Sequence, residues 1–148
     1  MSTSGAKTAS LEAQIASLQR ELDELQRRES VARRNVALFG KLDFKAWNNR
    51  DWNLFRELHT EDVRVVLGSM VTDSLDSHVE TMQAMLAATD SKVASHDIVF
   101  GSGEWTCCMA TTLDSTSTGR VLQSSVCTIA RWRDGRIAEE YLFIAPSV

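Results

Sequence analysis

No apolar run in this chain approaches the roughly 20 residues needed to span a bilayer. The start, Met1 to Ser10, is small and polar, and it lacks the apolar core of a secretory leader. Gly101-Ser102-Gly103 is followed by no helix, so it is no phosphate cradle, and no nucleophile elbow occurs. Cysteine is scarce: Cys107, Cys108 and Cys127 are three, an odd number without metal-like spacing. Free thiols in a reducing, cytoplasmic compartment are therefore expected. An excess of positive charge is missing too. The formal net charge is −4, which argues against nucleic acid as a partner. Arg27, Arg28, Arg33 and Arg34 cluster, but Glu21, Asp23, Glu24 and Glu29 surround them, as on a solvated helix face. Neither a membrane partner nor a metal or other cofactor is expected.

From Ser10 the chain has no Pro or Gly until Gly40. Leu11, Ile15, Leu18, Leu22 and Leu25 repeat with 4-3-4-3 spacing, and Ala32, Val36 and Phe39 continue the stripe. Only Glu29 breaks it. This predicts one heptad-patterned helix over residues 10–39, capped by Ser10 and about 43 Å long at about 1.5 Å per residue. It exceeds what a small domain needs internally. Two arrangements fit: a coiled coil joining two chains, or a helix docked on its own domain. In a parallel pair Arg28 would approach the partner's Arg33, a clash that antiparallel pairing or docking avoids. Residues 1–9 read as a disordered tail, and 40–148 as one domain.

Within that domain, Phe44, Trp47, Leu54, Phe55 and Leu58 supply the apolar face of two short helices broken at Asn48–Asp51. Asp62 to Val71, with Val63, Val65, Val66 and Leu67, reads as one strand. Ser77-His78-Val79-Glu80 has the form of a capping box, starting a helix with Met82, Met85 and Leu86 inward. Strands follow at about 92–100, 104–113, 120–132 and 136–144, with a polar turn at Ser115–Gly119. The class is α+β.

Arg133-Asp134-Gly135 joins two β-rich runs, and Asp-Gly there is a hairpin signal because a tight primed turn needs φ > 0. Simple alternation of the returning strand places Ile137, Glu139, Tyr141 and Phe143 on one face. Ala138, Glu140, Leu142 and Ile144 share the other. Two adjacent acids therefore point opposite ways in an otherwise apolar strand.

The runs FGSGEWT (100–106) and RWRDGRIAEEYLF (131–143), with Asp76 to Met82 and Ala46 to Phe55, resemble the SnoaL-like polyketide cyclase branch of the nuclear-transport-factor-2-like superfamily. The resemblance covers about residues 36–145. It implies a curved antiparallel sheet wrapped on helices into a cone, with an apolar pocket at the open end. The long N-terminal helix is an addition to that fold. Homodimers through the sheet are common among such relatives, so a homodimer is expected here, through the sheet, the helix or both.

The resemblance also places Glu139 inside the pocket with Tyr141 and Phe143. A carboxylate against aromatic walls has its pKa raised toward neutrality, as a general base or acid requires. The alternative is a cross-strand ion pair with Arg131. His78 and His96 fall on family motif positions and could pass a proton between pocket and substrate; each could equally be a helix-start or strand-edge histidine satisfied by backbone. His59 is expected to face solvent. Asp73 and Glu104 complete the titratable candidates. Trp105 and Phe100, with Tyr141 and Phe143, could line the binding site for a flat ligand, or be plain core.

One departure matters. SnoaL-like cyclases usually carry an acid/base Asp six residues beyond the strand Glu, and here that position is Ala145. Only three residues follow it, where many relatives continue in a helical tail. Two functions stay open. One is a cofactor-free cyclase, isomerase or dehydratase moving protons on a hydrophobic polyketide- or terpenoid-like substrate, with Glu139, His78 and His96 as its catalytic groups. The other is a non-catalytic binding or oligomerisation module.

Overall fold

The computed structural model describes residues 3–145. Helix α1 runs over Thr3–Lys41 and passes without a break into a π-helical segment, Leu42–Trp47. Helix α2 (Trp52–Glu57), strands β1 (His59–Leu67) and β2 (Met70–Thr72), and helix α3 (Leu75–Ala88) follow. The chain then forms β3 (Asp90–Ser102), β4 (Trp105–Ser115), β5 (Val121–Arg133) and β6 (Arg136–Ala145).

Helix α1 already exists at Thr3, so the expected tail is helical from that residue and Ser10 caps nothing. Met1 and Ser2 lie outside the described residues. The heptad stripe has two fates. Leu11, Ile15, Leu18, Leu22 and Leu25 are 47–65% exposed, whereas Ala32 and Phe39 are buried against the domain. Docking of the whole helix in cis is thus not what the fold does. The docked half sits on β3 at a glycine: a Cβ on Gly101 would lie 3.1 Å from the Ala32 carbonyl oxygen and 3.2 Å from Val36 Cγ2. A side chain there would be tighter than most real contacts, and the helix would have to give by a few tenths of an ångström to take it.

At Arg50 the chain takes a positive φ of 57° and reverses into α2, where the Asp51 carboxylate accepts from Leu54 N–H at 3.0 Å. Asn48 pins this corner to the sheet. Its amide donates to the Val93 carbonyl and accepts from the Val93 N–H, each at 2.8 Å, beside an irregularity in the β3–β4 register. The cap of α3 is Ser74 rather than Ser77: the Ser74 hydroxyl accepts from Ser77 N–H at 3.2 Å. His78 therefore lies at the end of the first helical turn.

The six strands are ordered β2-β1-β6-β5-β4-β3. All neighbours are antiparallel except β1 and β6, which run parallel. Asp134 (φ 51°) and Gly135 (φ 78°) make the expected primed turn between β5 and β6. The core lies between the curved sheet and the helices. Val63, Ala130 and Ile137 have no exposed surface, and the Trp132 indole N–H donates to Thr106 Oγ1 at 2.9 Å.

Candidate functional site

A cavity of about 430 Å³ opens between the helices and the concave sheet face. Phe39, Leu42, Trp47, Met82, Met85 and Leu86 form its helical wall. Val93, Ala110, Val126, Thr128 and Leu142 form much of its sheet wall. Three titratable side chains reach this largely apolar space close to its core end: Asp43, His78 and Glu140. Asp114 lies at the rim among Thr112 and Ser124.

Glu140 arrives here because β6 is not a uniform strand. Trp132 pairs with Ile137 and Arg131 with Glu139, so Ala138 is an extra residue bulged out of the ladder. The bulge shifts the alternation by one place. Ile137 and Glu140 both point inward, and Glu139 points out. The expectation that Glu139 faces the pocket is therefore corrected. Glu139 lies on the outer face, where it accepts from the Arg131 guanidinium at 3.0 Å, the cross-strand ion pair weighed above.

The two aromatic candidates on β6 follow the same shift. Tyr141 is registered opposite Ile129, and Phe143 opposite Cys127, on the outer face. Phe100 and Phe143 are more than half exposed and Trp105 is 41% exposed, and none of the four lines the cavity. The aromatic side chains that do line it, Phe39, Trp47 and Phe55, come from the helices.

His59, expected in solvent, is 1% exposed. It begins β1 directly after α2, and its Nδ1–H donates to the Phe55 carbonyl at 2.7 Å, between two elements that both pack inward. His59 Nε2 then points to Glu140 Oε2 at 3.8 Å, and His78 Nε2 lies 3.5 Å from the same oxygen. Neither His59 Nε2 nor either nitrogen of His78 has a hydrogen-bond partner among the described residues. Burial alone would raise the Glu140 carboxyl, but the two facing imidazoles outweigh it and hold its pKa at about 2.

The second polar group is a pair. His96 Nε2 lies 2.7 Å from Asp43 Oδ2, sandwiched by Phe39 and Phe44 at ring separations of 5.5 and 4.7 Å. Asp43 stands on the π-helical segment, whose wide turn turns its carboxyl toward β3; such turns recur at functional sites. Burial pushes the Asp43 carboxyl above its ordinary value, and the hydrogen bond to His96 only partly opposes this.

Asp73 and Glu104 stay outside the cavity lining. Two of the thiols are poor nucleophiles: burial pushes Cys108 up to about 12 and raises Cys107. Asp43, His59 and Glu140 are the site residues not anticipated. The one sequence signal for Glu140 was that two adjacent acids cannot share a face.

Comparison with curated proteins gives no match. Solved structures resemble the fold. A proposed SnoaL-like polyketide cyclase from Jannaschia sp. CCS1 superposes with a TM-score of 0.69 at 16% identity, over 77% of this chain and 87% of that one. A proposed polyketide cyclase from Xanthomonas campestris pv. campestris gives 0.70 at 16% identity, over 76% and 90%. An LEH-like epoxide hydrolase from M. tuberculosis gives 0.67 at 14% identity, over 77% and 84%. The family model described as SnoaL-like polyketide cyclase matches residues 42–144, which span the π-helical segment, every strand and both polar groups of the cavity, and the chain therefore belongs to that family.

Proposed function

We propose that the cavity is a reaction chamber for proton transfer on a hydrophobic cyclic substrate of polyketide or terpenoid type, next to a carbonyl. The observation that carries this reading is two separate polar groups, Asp43–His96 and Glu140–His78, set against one apolar cavity of about 430 Å³. That volume suits a small multi-ring molecule. Asp43 serves as the general base. Its raised pKa brings it toward the range where a carboxyl both takes and returns a proton, and His96 fixes its orientation. His78, held against Glu140, stabilises charge developing on the substrate oxygen. In this reading the duty of the family's Asp, Ala145 here, has passed to Asp43.

The test has two stages. Tryptophan fluorescence, with Trp47 in the cavity wall, reports binding of cyclic carbonyl compounds. Solvent deuterium exchange at the carbon beside the carbonyl then reports proton transfer. Exchange in wild type that falls at least a hundredfold in Asp43→Asn supports the reading. Binding without exchange in wild type rejects it.

That second outcome is the binding-module reading, which Ala145 and the exposed half of α1 favour. Under either reading, the Leu11–Leu25 stripe pairs with the same stripe of a second copy to give a homodimer.

A further inference from the structure

We propose that His59, His78 and Glu140 form a binding site for zinc or a neighbouring first-row divalent cation, with an open coordination position on the cavity. The inference deepens the reading above by naming what would polarise the substrate oxygen at that same place.

Three observations converge. The first is the orphaned donor set. His59 Nε2 and both nitrogens of His78 are buried without hydrogen-bond partners among the described residues, and both side chains are at least 98% buried. Native structures rarely leave three such atoms in one cluster unless an unseen water or ion completes it.

The second is the tautomer. A carbonyl only accepts, so the Phe55 carbonyl at 2.7 Å fixes the proton of neutral His59 on Nδ1. Nε2 then presents a lone pair to an anionic carboxylate. With neutral imidazoles two acceptors face each other, and a cation between them completes the set. A direct charge-assisted N–H···O contact from a protonated imidazole closes to about 2.7–2.9 Å. Here the separations are 3.5 and 3.8 Å. The Phe55 contact is also the outer hydrogen bond that orients and activates a metal-bound imidazole.

The third is the spacing. The three ligand atoms lie within 4.8 Å of one another. Ligands about 2.0–2.2 Å from a tetrahedral zinc are separated by roughly 3.3–3.5 Å. The two edges to Glu140 need contract by only tenths of an ångström or not at all. Two imidazoles and one carboxylate suit zinc and its first-row neighbours better than magnesium or calcium, which take oxygen ligands. His78 and Glu140 line the cavity and His59 lies behind them, so the fourth position opens toward substrate, as in catalytic zinc sites.

The chain has three histidines, which makes the test direct. Chelator-stripped protein is titrated with Zn²⁺ in competition with a chromophoric chelator, and imidazole ¹⁵N signals are followed in parallel. One Zn²⁺ per chain is expected, with the His59 and His78 signals moving and the His96 signal staying. His59→Asn, whose amide can still donate to the Phe55 carbonyl, and Glu140→Gln should each weaken binding at least tenfold. The ¹⁵N readout on wild type stands even if a variant fails to fold. Unmoved His59 and His78 signals at saturating Zn²⁺ would overturn the proposal, as would full affinity in both folded variants. Neither measurement involves substrate, so failure of the proton-transfer reading and failure of the metal site are seen separately.

Discussion

Arg131 and Glu139 face each other across β5 and β6 at 3.0 Å, one residue along the strand from Glu140. The pair is about one-third exposed on both sides and lies on the outer sheet face. Solvent screens it, so Glu139→Gln should cost less than about 1 kcal/mol and leave cavity ligands bound. Glu140→Gln should cost about 3–5 kcal/mol, because it leaves two buried imidazoles without their anion. Urea denaturation of the two variants side by side measures the contrast. Equal losses would mean that Glu140 carries no special load.

The acid limb of stability should report the same residue. The Glu140 carboxyl is held down at about 2 from 4.5, so its contribution is fully present above the ordinary value and is lost as pH falls toward the folded one. In metal-stripped protein, Glu140→Gln should flatten the dependence of the urea midpoint on pH in that window. A variant curve parallel to wild type would contradict this.

Asp43 should act in the opposite sense. Its folded pKa is raised above 3.8, so folding favours the protonated carboxyl. The stability it contributes is full below that value and is lost as pH rises through the raised one. Asp43→Asn keeps an acceptor for His96 and removes the charge. It should therefore lose less stability than wild type between acid and neutral pH, read as denaturation midpoints across that range.

Gly101→Val should loosen α1 from β3. The added side chain meets the Ala32 carbonyl at 3.1 Å, an atom of the helix backbone that cannot turn aside. A cost of about 1–3 kcal/mol is expected for such overpacking. Hydrogen exchange should rise in α1 around Ala32 and Val36 more than in β5. Uniform loss of protection would argue for a general destabilisation instead.

The exposed stripe gives a separable test of assembly. Leu18→Glu with Leu22→Glu should convert a dimer to a monomer in light scattering, while the thermal midpoint of the sheet domain stays within a few degrees. Those leucines are 63% and 47% exposed in the single chain, so their loss empties no core. A dimer that survives the double substitution would point to the outer sheet face, where Ile98, Phe100, Met109 and Phe143 are exposed.

Much of the architecture was legible from local chemistry. A Pro- and Gly-free stretch with heptad spacing makes a helix wherever it lies. Asp134-Gly135 makes a primed turn because both residues reach positive φ. Alternating runs flanked by polar turns make strands. Each of these signals acts over a few residues, so neighbours in sequence suffice to read it.

The site was decided elsewhere. One bulged residue, Ala138, set which of two adjacent glutamates enters the cavity, and the bulge belongs to the pairing with Trp132 rather than to β6 itself. His59 is buried because α2 and β1 meet there, although its own neighbours, Thr60, Glu61 and Asp62, read as a surface loop. Asp43 finds His96 across 53 residues, and Glu140 gathers histidines from β1 and α3. Local propensity fixes which way a backbone runs. Which side chains share a buried space depends on how the elements close on one another, and only the folded chain contains that information.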